Sequence, residues 1–207
     1  MNRFLRCGLL ALSALTLTAG PALATKTVIK TKGLDASGSF DVQEVESCAG
    51  GSTAFRTTHV GVDIFETTTT TQGTPTTVLQ ASVGVIRTDG CDFAVSFGSG
   101  LFQGVGTLQM TLLQTAKIAG HFALDDGTLL DVNLTLTGSD TTSLGANTRR
   151  TLLGKVMVIQ RSLGVSRTAT VSGTVAVDGH SFSTAQMTSP NGMLARNTGG
   201  EITIIKP

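Results

Sequence analysis

The chain has no tryptophan and no tyrosine, and nine phenylalanines supply all its aromatic rings. That shortage excludes a good deal. Carbohydrate-binding surfaces stack sugars on Trp or Tyr faces, single-strand binders stack bases on aromatic rings, and outer-membrane barrels carry Trp/Tyr girdles. Charge is sparse as well, at 14% of residues, and no run of one sign occurs. Nucleic acid calls for clustered Lys and Arg, and the only adjacent basic pair is Arg149-Arg150, which reads as a solvated loop. Nucleic acid is therefore not an expected partner.

Long apolar runs are missing too. Leu9 to Leu17 is the longest aliphatic stretch, too short to span a bilayer as a stable helix. It follows Arg3 and Arg6 and leads through Gly20-Pro21 to Ala22-Leu23-Ala24, with small residues at the −3 and −1 positions of a cleavage site. Residues 1–24 thus read as a signal-peptide helix and residues 25–207 as one mature all-β domain beginning at Thr25. Secretion or a periplasmic location follows, with no membrane span once the signal is removed. Losing Arg3 and Arg6 from the 15 basic residues leaves 13 against 14 acidic ones.

Cysteine is scarce. Cys7 leaves with the signal, and Cys48 and Cys91 remain as an even pair in an oxidising compartment. The expectation is one disulfide, stabilising by roughly 4 kcal/mol in the chain-entropy model.

What is present is alternation. Val60, Val62 and Ile64 share a face, as do Val83 and Val85, Leu108, Met110 and Leu112, or Val132, Leu134 and Leu136. Abundant Thr and Val suit a pleated surface. Asp89-Gly90, Asp126-Gly127, Asp178-Gly179 and Gln72-Gly73 punctuate these runs as hairpin turns, and Pro190-Asn191-Gly192 reads as another. A wide loop is expected over Gly138 to Asn147, and a flexible connection over Ser96 to Gly106. The prediction is an antiparallel β-sandwich or closed soluble β-barrel of roughly ten strands.

An internal echo runs through the chain. Ala116 to Gly127 aligns with Ala169 to Gly179, with one extra Asp in the first copy, and a shorter form appears at Ala36 to Phe40. Each places a glycine (Gly120, Gly173 and Gly38) inside a strand, two residues before an apolar one (Phe122, Val175 and Phe40). Such glycines mark bulges or close approaches.

Chemistry is thinly represented. His59, His121 and His180 stand alone in sequence, without the spacing of a metal site, and no metal or cofactor is predicted. Gly98-Ser99-Gly100 lacks the elbow of a serine hydrolase. Asp63, Glu66, Asp131 or Glu44 could furnish a carboxylate pair brought together by strands, but spacing selects none of them. No catalytic residues are assigned, and the balance leans away from an enzyme.

In its exported, Thr/Gly-rich β pattern, with Gly38-Ser39-Phe40 ahead of Cys48 and a second half-cystine at Cys91, the stretch 36–92 resembles fimbrial pilins. That resemblance implies a surface-fibre subunit. The carboxyl end departs from it, lacking the aromatic-ended donor strand. The first expectation is a non-catalytic binding or structural module whose partner is a protein or a small apolar ligand; the alternatives are the pilin-like fibre subunit and an extracytoplasmic hydrolase.

Overall fold

The computed structural model describes residues 25–206, the Thr141 side chain apart; the predicted signal helix, Cys7, Ala22 and Ala24 lie outside the described residues. Ten strands follow one another: β1 (Lys26–Ser47), β2 (Thr53–Thr71), β3 (Thr74–Thr88), β4 (Val95–Gln103), β5 (Thr107–Thr111), β6 (Thr115–Ala123), β7 (Leu129–Leu153), β8 (Val156–Val177), β9 (His180–Ser183) and β10 (Met187–Ile205). All pair antiparallel in one sheet of order β4-β3-β2-β1-β10-β8-β7-β6-β5, with β9 on β8.

The sheet is open, which corrects the expectation of a closed barrel. Each strand from β1 to β4 and from β5 to β8 pairs with its chain neighbour, and β1 pairs with β10. A ladder between β4 and β5 would complete the circle, and it is missing. The cause is the corner between them. Gly104 and Gly106 both hold positive φ (71° and 88°), a conformation that side chains disfavour, and they turn β5 away from β4. The sheet therefore folds over and packs its two wings face to face. Val60, Val62 and Ile64 of β2 and Phe40 of β1 share one buried cluster with Ile118 and Phe122 of β6 and Leu130, Leu134 and Leu136 of β7. Each such side chain contributes roughly 1.5–3 kcal/mol on burial.

Turn chemistry is as expected at Gln72-Gly73 (φ 52° and 87°) and Asp178-Gly179 (φ 50° and 83°), both left-handed pairs suited to two-residue hairpins. Other segments differ. Gly138 to Asn147 is not a loop but part of β7, paired with β8 across a bulge between Gly138 and Thr142. Arg149-Arg150 lies in that same strand rather than in a loop. Ser96 to Gln103 belongs to β4. Pro190 sits inside β10, at the irregularity opposite Ser39–Asp41, because proline is tolerated where a bulge already interrupts the ladder.

One of the echoed glycines, Gly120, has a visible cause. The Phe122 ring lies back over it, and outside the echo the Phe102 ring does the same over Gly100; a Cβ at either glycine would overlap the ring. The two rings then meet at 5.1 Å between centroids. The apolar partners in the echo, Phe40, Phe122 and Val175, are all fully buried.

The long strands outrun this core. Below Leu34 in β1, Ile64 in β2, Leu194 in β10 and Ala169 in β8, the strands continue as a single layer extended by Thr142–Leu153 of β7. Within it Ile29, Ala195, Gly200 and Thr203 are the buried residues among those described. A bulge in β10 between Asn197 and Gly199 marks the passage from packed sheet to uncovered extension.

Candidate functional site

Three polar groupings are brought together by the fold, and apart from the expected Cys48–Cys91 bridge none of their pairings was visible in linear spacing. The first pairs Asp35 with Asp63 on adjacent strands. Asp63 was one of four candidate carboxylates; its partner is Asp35 rather than Glu66, Asp131 or Glu44. Asp35 faces Phe65 and Asp63 faces Ser37 across β1 and β2, so the two carboxyls are diagonal neighbours on the face away from the core. Burial, then the Asp63 charge and its hydrogen bond, push the Asp35 carboxyl up to about 8. Asp35 Oδ1 is buried without a hydrogen-bond partner.

Next come two histidine–carboxylate pairs. His59 Nδ1 lies 2.7 Å from Asp41 Oδ1, and His121 Nδ1 bonds Asp131 directly across the β6–β7 ladder. Both lie on open sheet surface, and the His121 side chain is 66% exposed. A carboxylate on Nδ1 fixes the tautomer that leaves Nε2 free to accept a proton, the orientation a general base uses. His180, at the start of β9, lies opposite Val177.

A third cluster surrounds the disulfide. Cys48 and Cys91 are joined, with Cα atoms 5.4 Å apart, tying the β1–β2 loop to the β3–β4 loop. Glu46, Asp89 and Cys91 come close enough to suggest a cation site. Cys91 has no thiolate to offer, however, and Arg56 bonds Glu46 and reaches Asp89 at 3.6 Å, so the chain supplies its own cation. Asp89 is held below the usual carboxylate range mainly by the Cys91 backbone N–H.

The largest feature is the uncovered extension. Alternation from buried Ala36 in β1, carried through the bulge in β10, separates its two faces. The face continuous with the core carries Lys26, Lys30, Lys32, Arg150, Arg161 and Arg196, with Glu66 and Glu201 as its acids. Between the cations stand Leu144, Leu152, Met157 and Leu163, exposed by 71%, 68%, 41% and 42%. The opposite face is threonine-rich (Thr67, Thr69 and Thr71 beside Thr31 and Thr27), with Ile29, Val158, Ile202 and Ile204 among the threonines, Leu153 exposed by 57% and Arg149 as its basic residue.

None of the six inner-face cations makes an ion pair among the described residues, nor does Arg149. With Lys155 and Lys206 they bring nine of the 13 basic residues among the described ones to one end of the sheet. The sequence reading missed this because those residues are spread from position 26 to 206; β-pairing gathers them. Where the inner face meets the core edge, clefts of about 180 and 310 Å³ open around Leu34 and Arg196, one also lined by Lys32 and Glu66, the other by Met110 and Leu112.

No protein-family model matches the chain, and no curated protein matches it. Among solved structures it is similar to a protein from Nitrosomonas europaea given the provisional name AttH, at 13% identity and a TM-score of 0.36. That match covers 79% of this chain, which spans half the length of the other.

Proposed function

We propose that the protein is an exported binding module that engages its partner through the uncovered end of the sheet. The observation that supports this most directly is the extension itself. Sheets place at least one face on a core or a partner, because exposed aliphatic side chains cost free energy in water. Here five long strands continue past the core with Leu144, Leu152 and Leu163 in solvent. The Cys48–Cys91 bridge suits an oxidising compartment, and no helix among the described residues is long and apolar enough to cross a membrane.

Three other readings have less behind them. A small apolar ligand would need room between the wings, where Phe40, Phe122, Ile64 and Leu134 are packed. A fibre subunit of the pilin kind would need an open groove at a missing strand, whereas β1 and β10 pair with each other from Lys26↔Ile205 to Val42↔Met187. The hydrolase reading retains the Asp41–His59 pair. It predicts hydrolysis of ester or glycoside substrates that disappears in His59→Ala.

Retention on the envelope fraction of the producing cells tests the binding reading. Saturable retention is expected, with Leu144→Ser/Leu163→Ser weakening it about ten-fold or more, in line with burial of two leucines. Phe97→Ser/Leu101→Ser, exposed on the β4 wing, should leave it unchanged. Equal loss in both variants, or no retention, overturns the reading. Intact mass with and without reductant tests cleavage after Ala24 and the bridge.

A further inference from the structure

We propose that the partner of the uncovered face is the surface of an anionic phospholipid bilayer, an inference that rests on the binding reading above. Cations and aliphatic side chains alternate row by row across the strands. Lys26 shares a row with Ile205, Met157 and Leu152; the next holds Val28, Ile159 and Arg150; Lys30 and Arg161 flank Glu201 in the one after. Such a surface matches a headgroup layer, in which phosphates meet Lys and Arg while leucines enter the acyl boundary between them.

The two ends of the molecule differ in how their charges are used. At the far end the carboxylates are engaged within the fold: Asp125 accepts from Ser99, Asp126 from Thr128, and Asp178 from Leu129 and Arg87. On the extension the cations make no ion pair among the described residues. A surface of unpaired cations at one end, with acids concentrated at the other, orients the protein toward a negative plane and holds the acidic end away from it.

The apolar component decides between a lipid surface and a polyanionic chain. A nucleic acid or acidic polysaccharide rewards the six cations but leaves Leu144, Leu152 and Leu163 in water, and the chain has no Trp or Tyr on which bases or sugars could stack. At the core edge, Leu112 is 73% exposed on the turn beside the Leu34–Arg196 cleft and extends the aliphatic surface. Lys32 and Arg196 line the neighbouring cleft, with Glu66 on its wall, and offer a headgroup phosphate two cations.

The test uses co-sedimentation of the mature, disulfide-bonded protein with vesicles of phosphatidylcholine containing phosphatidylglycerol, against vesicles of phosphatidylcholine alone. Binding is expected to the anionic vesicles and to weaken steeply with added salt. Arg149 and Arg150 are chain neighbours on opposite faces, so Arg149→Glu and Arg150→Glu change net charge identically. Arg150→Glu should weaken binding by about twenty-fold, from roughly five-fold per unit charge at a membrane surface, and Arg149→Glu by less than about three-fold. Leu163→Ser should weaken it further without altering its salt dependence. Equal effects of the two arginine reversals overturn the proposal, as does equal binding to neutral vesicles. Retention on DNA or heparin resin without vesicle binding overturns it in favour of a polymer. If vesicle binding is absent while envelope retention still depends on Leu144 and Leu163, this inference falls and the binding reading stands; if both are absent, both fall.

Discussion

Ser99 and Asp125 bridge the opening that keeps the sheet from closing. The Asp125 backbone N–H donates to the Ser99 carbonyl at 3.0 Å, and the Ser99 N–H returns a bond of 2.7 Å to the Asp125 carboxylate. β4 and the β6–β7 turn are thus joined at one point, where a full ladder would have made a barrel.

Removing that bridge should loosen the gap. The Asp125 carboxyl is held below its ordinary value, first by the Ser99 N–H. A depressed folded-state pKa contributes stability that is present above the ordinary carboxylate range and lost as pH falls through the folded value. Asp125→Ala is expected to lower the urea midpoint at neutral pH and to differ little from wild type near about pH 2. A pH-independent difference would assign its effect to packing instead.

The carboxyl of Asp35 behaves in the opposite sense. With its folded pKa raised to about 8, the protonated form is favoured in the native state, so stability declines as pH rises from the ordinary carboxylate range toward 8 and levels off above it. Asp35→Asn should flatten that decline in thermal melts recorded between about pH 4 and 9. An unchanged slope would place the titration elsewhere.

Gly120 leaves space that the Phe122 ring occupies. Gly120→Ala should cost about 1–3 kcal/mol in urea unfolding through overpacking. Against a Phe122→Val background, adding Gly120→Ala should cost much less than it does in the wild type, since the ring it would overlap is gone and Val175 fills the corresponding place in β8. An equal cost in both backgrounds would argue for a backbone cause.

Cys48→Ser/Cys91→Ser removes the tie between the β1–β2 and β3–β4 loops. A loss of about 2–4 kcal/mol is expected, and reductant should destabilise the wild type by a similar amount while leaving the variant unchanged.

Strand identity was legible wherever a core exists, because burial of one face imposes alternation, as at Val60, Val62 and Ile64. It was illegible beyond the core. Gly138 to Asn147 looks like a loop because its residues alternate with nothing buried; β7 persists there because β8 offers a ladder partner. Pro190 was misread for a related reason: a bulge and a turn share residue preferences. The turn pairs at Gln72-Gly73 and Asp178-Gly179 were readable because positive φ restricts residue choice locally. Side-chain groupings depend on register between distant strands. Nothing in the spacing of Asp35 and Asp63, or of Lys30 and Arg161, announces that they share a face, and the closed-barrel expectation failed on the Gly104–Gly106 corner, whose direction local sequence does not specify.

The β1–β10 seam has a mechanical consequence. Lys26 faces Ile205, and the Lys206 N–H donates to the Thr25 carbonyl at 3.1 Å, so the two ends of the described chain leave the same corner. Tension applied across them would peel β1 from β10 one hydrogen bond after another, like a zipper, instead of shearing the ladder as a unit. A protein built this way yields at low force when pulled by its ends.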